Sequence, residues 1–130
     1  MPELREHPEG PVRLLGFWGS PENRELPNPA DLVDPEWDEA ERLSVADYLD
    51  HGQVAGWWMG SSRCRLCSRP NGSRDFTDGY YLWPEGLSHY ILDHGVRLPA
   101  EFIDHIERRR DVFDELDRDV TWWRENAART

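Results

Sequence analysis

Apolar positions in the last third of the chain follow a helical period: Phe102, Ile106, Phe113, Leu116, Val120 and Trp123 are spaced by steps of four and three, with Arg109 as the one polar interruption. Such a seam lies along one helix face, and Pro99 is preorganised for a first turn. The pattern predicts a C-terminal helix over 99–126. A second helix is predicted over 35–52, where Trp37, Ala40, Leu43, Ala46 and Leu49 recur at every third position. Asp34-Pro35 has the residue types of an N-cap and first turn, and Gly52 is placed to end this helix in the left-handed conformation. Between the two helices, Gln53 to Met59 reads as a strand with Trp57 and Trp58 on opposite faces. Ser73 to Trp83 reads as a β-hairpin in which Asp78-Gly79 supplies two positive-φ turn positions. Pro84-Glu85-Gly86 opens a short helix that carries His89 and is expected to fray at Asp93 to Gly95.

Residues 1–35 contain seven of the ten prolines, which exclude a long helix or a central strand. Val12, Leu14, Leu15, Phe17 and Trp18 offer a short strand or an apolar tether, so this arm is expected to be packed from about Pro11 onwards. A length of 130 residues fits one domain. The expected organisation is an α+β fold with a Pro-rich packed arm at 1–34, a helix at 35–52, a central module at 53–98 and a long helix at 99–126.

Charge changes this picture by its distribution. The net charge is −11, and all fifteen basic residues are arginine. Residues 1–50 carry a net −9 and residues 99–130 a net −3, while residues 51–98 carry a net +1. A locally basic module thus sits on an acidic body, which is repelled by bulk nucleic acid and anionic membrane and steered towards a basic protein surface. No apolar run approaches the roughly 20 residues needed to cross a bilayer. Met1 to Gly10 is acidic and lacks the regions of a signal peptide. Two cysteines at CxxC spacing without a secretion signal point to a reducing compartment, and the cytoplasm is the expected location.

The most specific chemistry lies in that module. Cys64 and Cys67 are separated by two residues, His89 follows Cys67 after 21 more, and His94 follows His89 after four. Two thiolates and two imidazoles form the preferred donor set of a four-coordinate Zn²⁺, and a site with all four positions filled by protein has none left for water or substrate. The metal is therefore expected to be structural. On a continuous helix, a step of five residues rotates a side chain by about 500°, leaving His89 and His94 about 140° apart. A helix end near Asp93, with Gly95 reversing the chain, is expected to bring His94 back to the metal.

A knuckle, a hairpin and a helix with two histidines, in that order, resemble treble-clef and related Cys2His2 zinc fingers, over roughly Cys64 to His94. The resemblance implies that Cys64, Cys67, His89 and His94 are the ligands. The stretch from Asp78 to Tyr90 also resembles small, mostly uncharacterised bacterial zinc-finger-like proteins. The chain departs from the pattern in having no Gly directly after Cys67 and in a gap longer than that of the short DNA-reading finger.

Other chemistries fit the residues less well. A redox dithiol normally sits at a helix start, whereas Ser68 to Gly72 reads as a turn. A zinc deaminase needs a His-x-Glu upstream of its cysteines, and His51 is followed by Gly52 and Gln53. A metal-dependent nuclease needs a further histidine; His51 and His105 are the candidates, with no convincing Asn or Asp pair. Asp75 and Asp78 read as hairpin and turn residues. Arg63, Arg65, Arg69 and Arg74 surround the knuckle as candidate contacts to an anion or a partner, although pairing with the protein's own acids also accounts for them. The helix from Pro84 to His94 contains no Arg or Lys, which disfavours DNA reading by it.

The expected function is a small zinc-binding interaction module, of adaptor, inhibitor or immunity type, whose acidic surface engages a basic protein. A homodimer through the C-terminal helix is a further possibility. The competing classes are a small biosynthetic or modifying enzyme with an aromatic pocket drawn from Trp57, Trp58, Trp83, Tyr80, Tyr81 and Tyr90, and a nucleic-acid binder using the Arg cluster.

Overall fold

The computed structural model describes residues 10–127. It is a mixed α+β structure in which a four-stranded sheet is covered by helices. The arm contributes a two-residue strand, β1 (Arg13–Leu14), and a 3-10 turn at Pro29–Leu32. Then follow α1 (Glu39–Asp50), β2 (Gln53–Trp57), β3 (Arg74–Thr77), β4 (Tyr81–Pro84), α2 (Leu87–His94), α3 (Ala100–Asp114) and α4 (Thr121–Asn126). The strand order is β1-β4-β3-β2, with β1 parallel to β4 and the other pairs antiparallel. The first nine residues of the arm lie outside the described residues; of the rest, Leu15 is buried and Trp18 packs against the core, while Pro11 to Leu14 and Pro21 to Asn28 are exposed.

Aromatic side chains of the hairpin anchor the core. Phe76 and Trp83 face each other across β3 and β4, and the Trp83 indole N–H donates to the Leu49 carbonyl of α1 at 3.1 Å, satisfying a polar group buried among hydrocarbon. Phe102 of α3 meets Tyr81 edge-on at 4.9 Å between ring centroids, and also contacts Trp83 and Tyr48.

α1 starts at Glu39 instead of Pro35. The cap is Asp38, whose carboxylate accepts from the Glu41 amide at 3.0 Å; Asp38-x-x-Glu41 has the spacing of a capping box. Asp34 is used elsewhere. It accepts from the Glu36 amide and pairs with Arg97 at 2.8 Å, while its own amide donates to the Gly95 carbonyl beyond α2. Val45, Ala46 and Leu49 form the buried face of α1, whereas Ala40 and Leu43 are exposed, because a three-residue repeat drifts round a 3.6-residue helix. His51 caps the end, and Gly52 does not take a positive φ. Gly52 is required for space: a Cβ there would lie 2.6 Å from the Trp83 ring.

The C-terminal helix is broken. α3 ends at Asp114, residues 115–120 are not helical, and α4 restarts at Thr121. The apolar period continues in the sequence, but the burial does not: Phe102 and Ile106 are in the core, while Phe113, Leu116, Val120 and Trp123 are exposed. Without packing, local terms decide the conformation. The last turn of α3 has no basic residue, and carboxylates at its end oppose the helix dipole. Asp119 then accepts from the Thr121 amide at 2.9 Å, which favours a new start.

The hairpin turn runs through Asp78, Gly79 and Tyr80, with only Gly79 at positive φ. Asp78 has a larger task than the turn. One carboxylate oxygen accepts from the Tyr80 and Tyr81 amides; the other accepts from the Tyr48 hydroxyl of α1 at 2.5 Å and lies 2.7 Å from His105 Nε2 of α3. Three elements are thereby tied to one buried carboxylate. Burial by itself would raise this carboxyl, but the bonds from His105, Tyr48 and the two amides outweigh it and bring the pKa down to about 2. A carboxyl depressed in the folded state contributes stability above its unfolded pKa and loses it as pH falls through the folded one. Urea unfolding is therefore expected to show a loss of about 2 kcal/mol between pH 4 and pH 2. Asp78→Asn should lower stability at neutral pH and flatten the profile in that window; an unchanged slope would remove Asp78 as its source.

Candidate metal centre

The segment between β2 and β3 carries the two thiols on a tight knuckle. Its backbone is fixed by the Cys64 amide donating to the Arg69 carbonyl at 2.9 Å and the Ser68 amide donating to the Cys64 carbonyl at 2.8 Å. The Leu66 amide points at Cys64 Sγ, 3.3 Å away. Ser68, the residue directly after Cys67, has φ +65° and is the one non-glycine residue at positive φ among the described residues. The missing glycine is thus a serine in the glycine conformation, with the strain that this imposes.

α2 brings the imidazoles. Gly86 precedes it without space for a side chain, since a Cβ would fall 2.2 Å from Asn71. Leu87, Tyr90 and Ile91 are buried on one face. At its end Gly95 takes φ +65°, with its amide bonded back to the Ile91 carbonyl. The helix does not fray at Asp93 but runs through His94. The two rings still converge, with centroids 5.1 Å apart, because each imidazole projects well beyond the backbone cylinder of roughly 2.3 Å radius and leans across it.

Cys64, Cys67, His89 and His94 lie together, with one ligand atom from each within 4.8 Å of all the others. A tetrahedral ion with bonds of about 2.0–2.3 Å holds its ligand atoms roughly 3.5 Å apart, inside that envelope. The four residues are close enough to bind a metal ion. Both thiols are free, Cys64 buried and Cys67 exposed. Cys67 Sγ is 3.3 Å from His89 Nε2, and the other nitrogen of that ring, Nδ1, is 3.2 Å from the Asp93 carboxylate. A carboxylate on the far nitrogen is the arrangement that orients a ligating imidazole. His94 Nε2 is buried with no hydrogen-bond partner, a state that costs about 1–3 kcal/mol and that a metal ion would relieve. Tyr90 ties helix to knuckle, its hydroxyl accepting from the Arg65 amide at 2.8 Å; burial pushes its pKa up against the lowering effect of that bond.

The remaining candidates are dispersed. His105 belongs to the Asp78 network and His51 is an exposed residue at the end of α1, so neither joins the Cys/His group. The four arginines divide. Arg74 pairs with Glu85 at 2.7 Å, and Arg69 approaches Asp93 at 4.0 Å. Arg63 and Arg65 each donate instead to a backbone carbonyl, of Ser68 and Gly19, and have no carboxylate partner among the described residues. Of the six aromatic residues that offered a pocket, Trp58 and Tyr90 line the cavity beside the knuckle. Trp83, Tyr81 and Tyr90 are buried, Trp57 is exposed under the Arg74 guanidinium, and the cavity beside the knuckle is walled by Trp58 and Tyr90 together with Phe17 and Trp18 of the arm. No helix among the described residues is long and apolar enough to cross a membrane. No protein-family model matches the chain, and no curated protein or solved structure matches it.

Replacement of Asp93 by Asn keeps its size but removes the charge that orients His89. Asp93→Asn should weaken affinity for Zn²⁺ by about 10- to 100-fold in competition with a chromogenic chelator. An unchanged affinity would remove Asp93 from that role.

Proposed function

We propose that the protein is a small zinc-stabilised interaction module of treble-clef-like design, acting in the cytoplasm as an adaptor, inhibitor or immunity-type protein that engages a basic partner. Cys64, Cys67, His89 and His94 supply all four positions of the zinc, so the ion fixes the shape of the domain and leaves no position for a reacting molecule.

The observation that carries the reading is the segment from Asp111 to Asn126. Phe113, Leu116, Val120, Trp122 and Trp123 are all exposed there, Trp122 by 69% and Trp123 by 62%, and α4 buries none of its residues. The same segment carries six acids and two arginines, a net of −4. Exposed aromatic anchors are the residues that dominate binding energies once a partner covers them. Their acidic frame selects a partner with an apolar groove rimmed by Lys and Arg, and speeds the encounter.

A fluorescein-labelled amphipathic helical peptide of leucine and lysine serves as a model of such a partner. Binding to the zinc-loaded chain should weaken at least tenfold between 50 and 500 mM NaCl, and at least tenfold again in the double variant Trp122→Ala/Trp123→Ala. Salt-insensitive binding, or none, would count against the basic-partner reading. So would a stable dimer that this double variant converts to monomer, because it would assign the face to a second copy of the chain.

A further inference from the structure

The arm and the knuckle line a half-open cavity of about 260 Å³ that the acidic segment does not use. Its walls include Phe17 and Trp18 from the arm, Trp58 directly after β2, Tyr90 from α2, and Arg63 and Arg65 on either side of Cys64. No acidic residue lines it. In a chain of net charge −11, a cavity with two arginines and no acid is an electrostatic exception. Each guanidinium has five N–H donors. One nitrogen of each donates to a backbone carbonyl, and no described carboxylate neutralises either charge. The indole N–H of Trp18, at the same wall, is a further buried donor without an acceptor.

We infer that this cavity binds an aromatic carboxylate, with the ring against the aromatic walls and the carboxylate on Arg63 and Arg65. The aromatic faces favour a flat apolar body, which a bare inorganic anion lacks. The volume lies just below the roughly 300–1,000 Å³ of small-molecule sites and holds one ring system, while a long polyanion would meet the repulsion of the acidic body. Arginine is the side chain suited to gripping a planar carboxylate through two parallel bonds. The shared chemistry, an aromatic ring bearing a carboxylate, is available from a free small molecule or from a chain that ends in an aromatic residue.

The site is local to the arm and the knuckle, so its test is independent of the partner surface. Ligand-observed NMR and calorimetry on the zinc-loaded full chain would compare indole-3-acetate with its neutral isostere indole-3-acetamide, and Gly-Gly-Trp with its C-terminal amide. Each carboxylate should bind at least tenfold more tightly than its amide. The tighter of the two carboxylates names the source. Arg63→Gln should remove at least fivefold of the carboxylate affinity and leave the amide affinity and zinc content unchanged, and Arg63→Lys should restore part of the loss. Arg65→Gln should act in the same direction, and Arg63→Gln decides the matter if loss of the Gly19 contact unsettles the fold. Equal binding of acid and amide, no binding of either carboxylate at millimolar concentration, or an Arg63→Gln variant with undiminished affinity would overturn the inference.

Discussion

The convergence of two thiols and two imidazoles is the constraint on which the centre of this protein depends. The residues between β2 and β3 bury almost nothing of their own: Cys64 is 2% exposed, Leu66 is half-buried, and most of the rest face solvent. A strained Ser68 and a few backbone bonds cannot hold such a segment against its conformational entropy, which costs about 1–2 kcal/mol per residue. A bound metal offsets that cost in one step, since binding and ordering are the same event where the site does not exist beforehand. Proximity of the ligands, the Asp93 carboxylate behind His89 and the unsatisfied His94 nitrogen all favour this account.

Asp78 is the second tie, and it secures the opposite end of the hairpin. Where the Cys/His group joins knuckle to α2, Asp78 joins the hairpin turn to α1 through Tyr48 and to α3 through His105. Between them lies the aromatic core of Phe76, Trp83 and Phe102. The molecule thus combines a modest apolar core with two polar centres, an arrangement suited to a chain rich in charge and proline. What the core does not use is left on the surface, and the acidic, aromatic end of the chain carries its longest run, from Phe113 to Trp123.

Sequence spacing made the Cys/His group legible, because ligand chemistry leaves a pattern that does not depend on packing. The hairpin and β2 were legible for a similar reason: turn residues and alternation are local signals. The start of α1 was less so, since Asp34 and Asp38 are both competent caps, and only the Glu41 three residues after Asp38 distinguishes them. The break after Asp114 was hidden because periodicity reports which residues could share a face, not whether anything covers that face. The cavity depends on the parallel pairing of β1 with β4, which sets Phe17 and Trp18 beside a knuckle more than forty residues away and has no local signature. The Asp78–His105 contact, across 27 residues, is of the same non-local kind.

A metal that organises the knuckle is the feature on which the proposed fold of this region rests. Zinc content of the purified chain, measured with amide NMR spectra before and after chelation, tests it most directly. One zinc per chain is predicted, with loss of dispersed amide signals from Cys64 to His94 when the ion is removed and their return when it is restored. A chain that carries no metal and takes up none, or one whose signals in that stretch survive chelation unchanged, would contradict it.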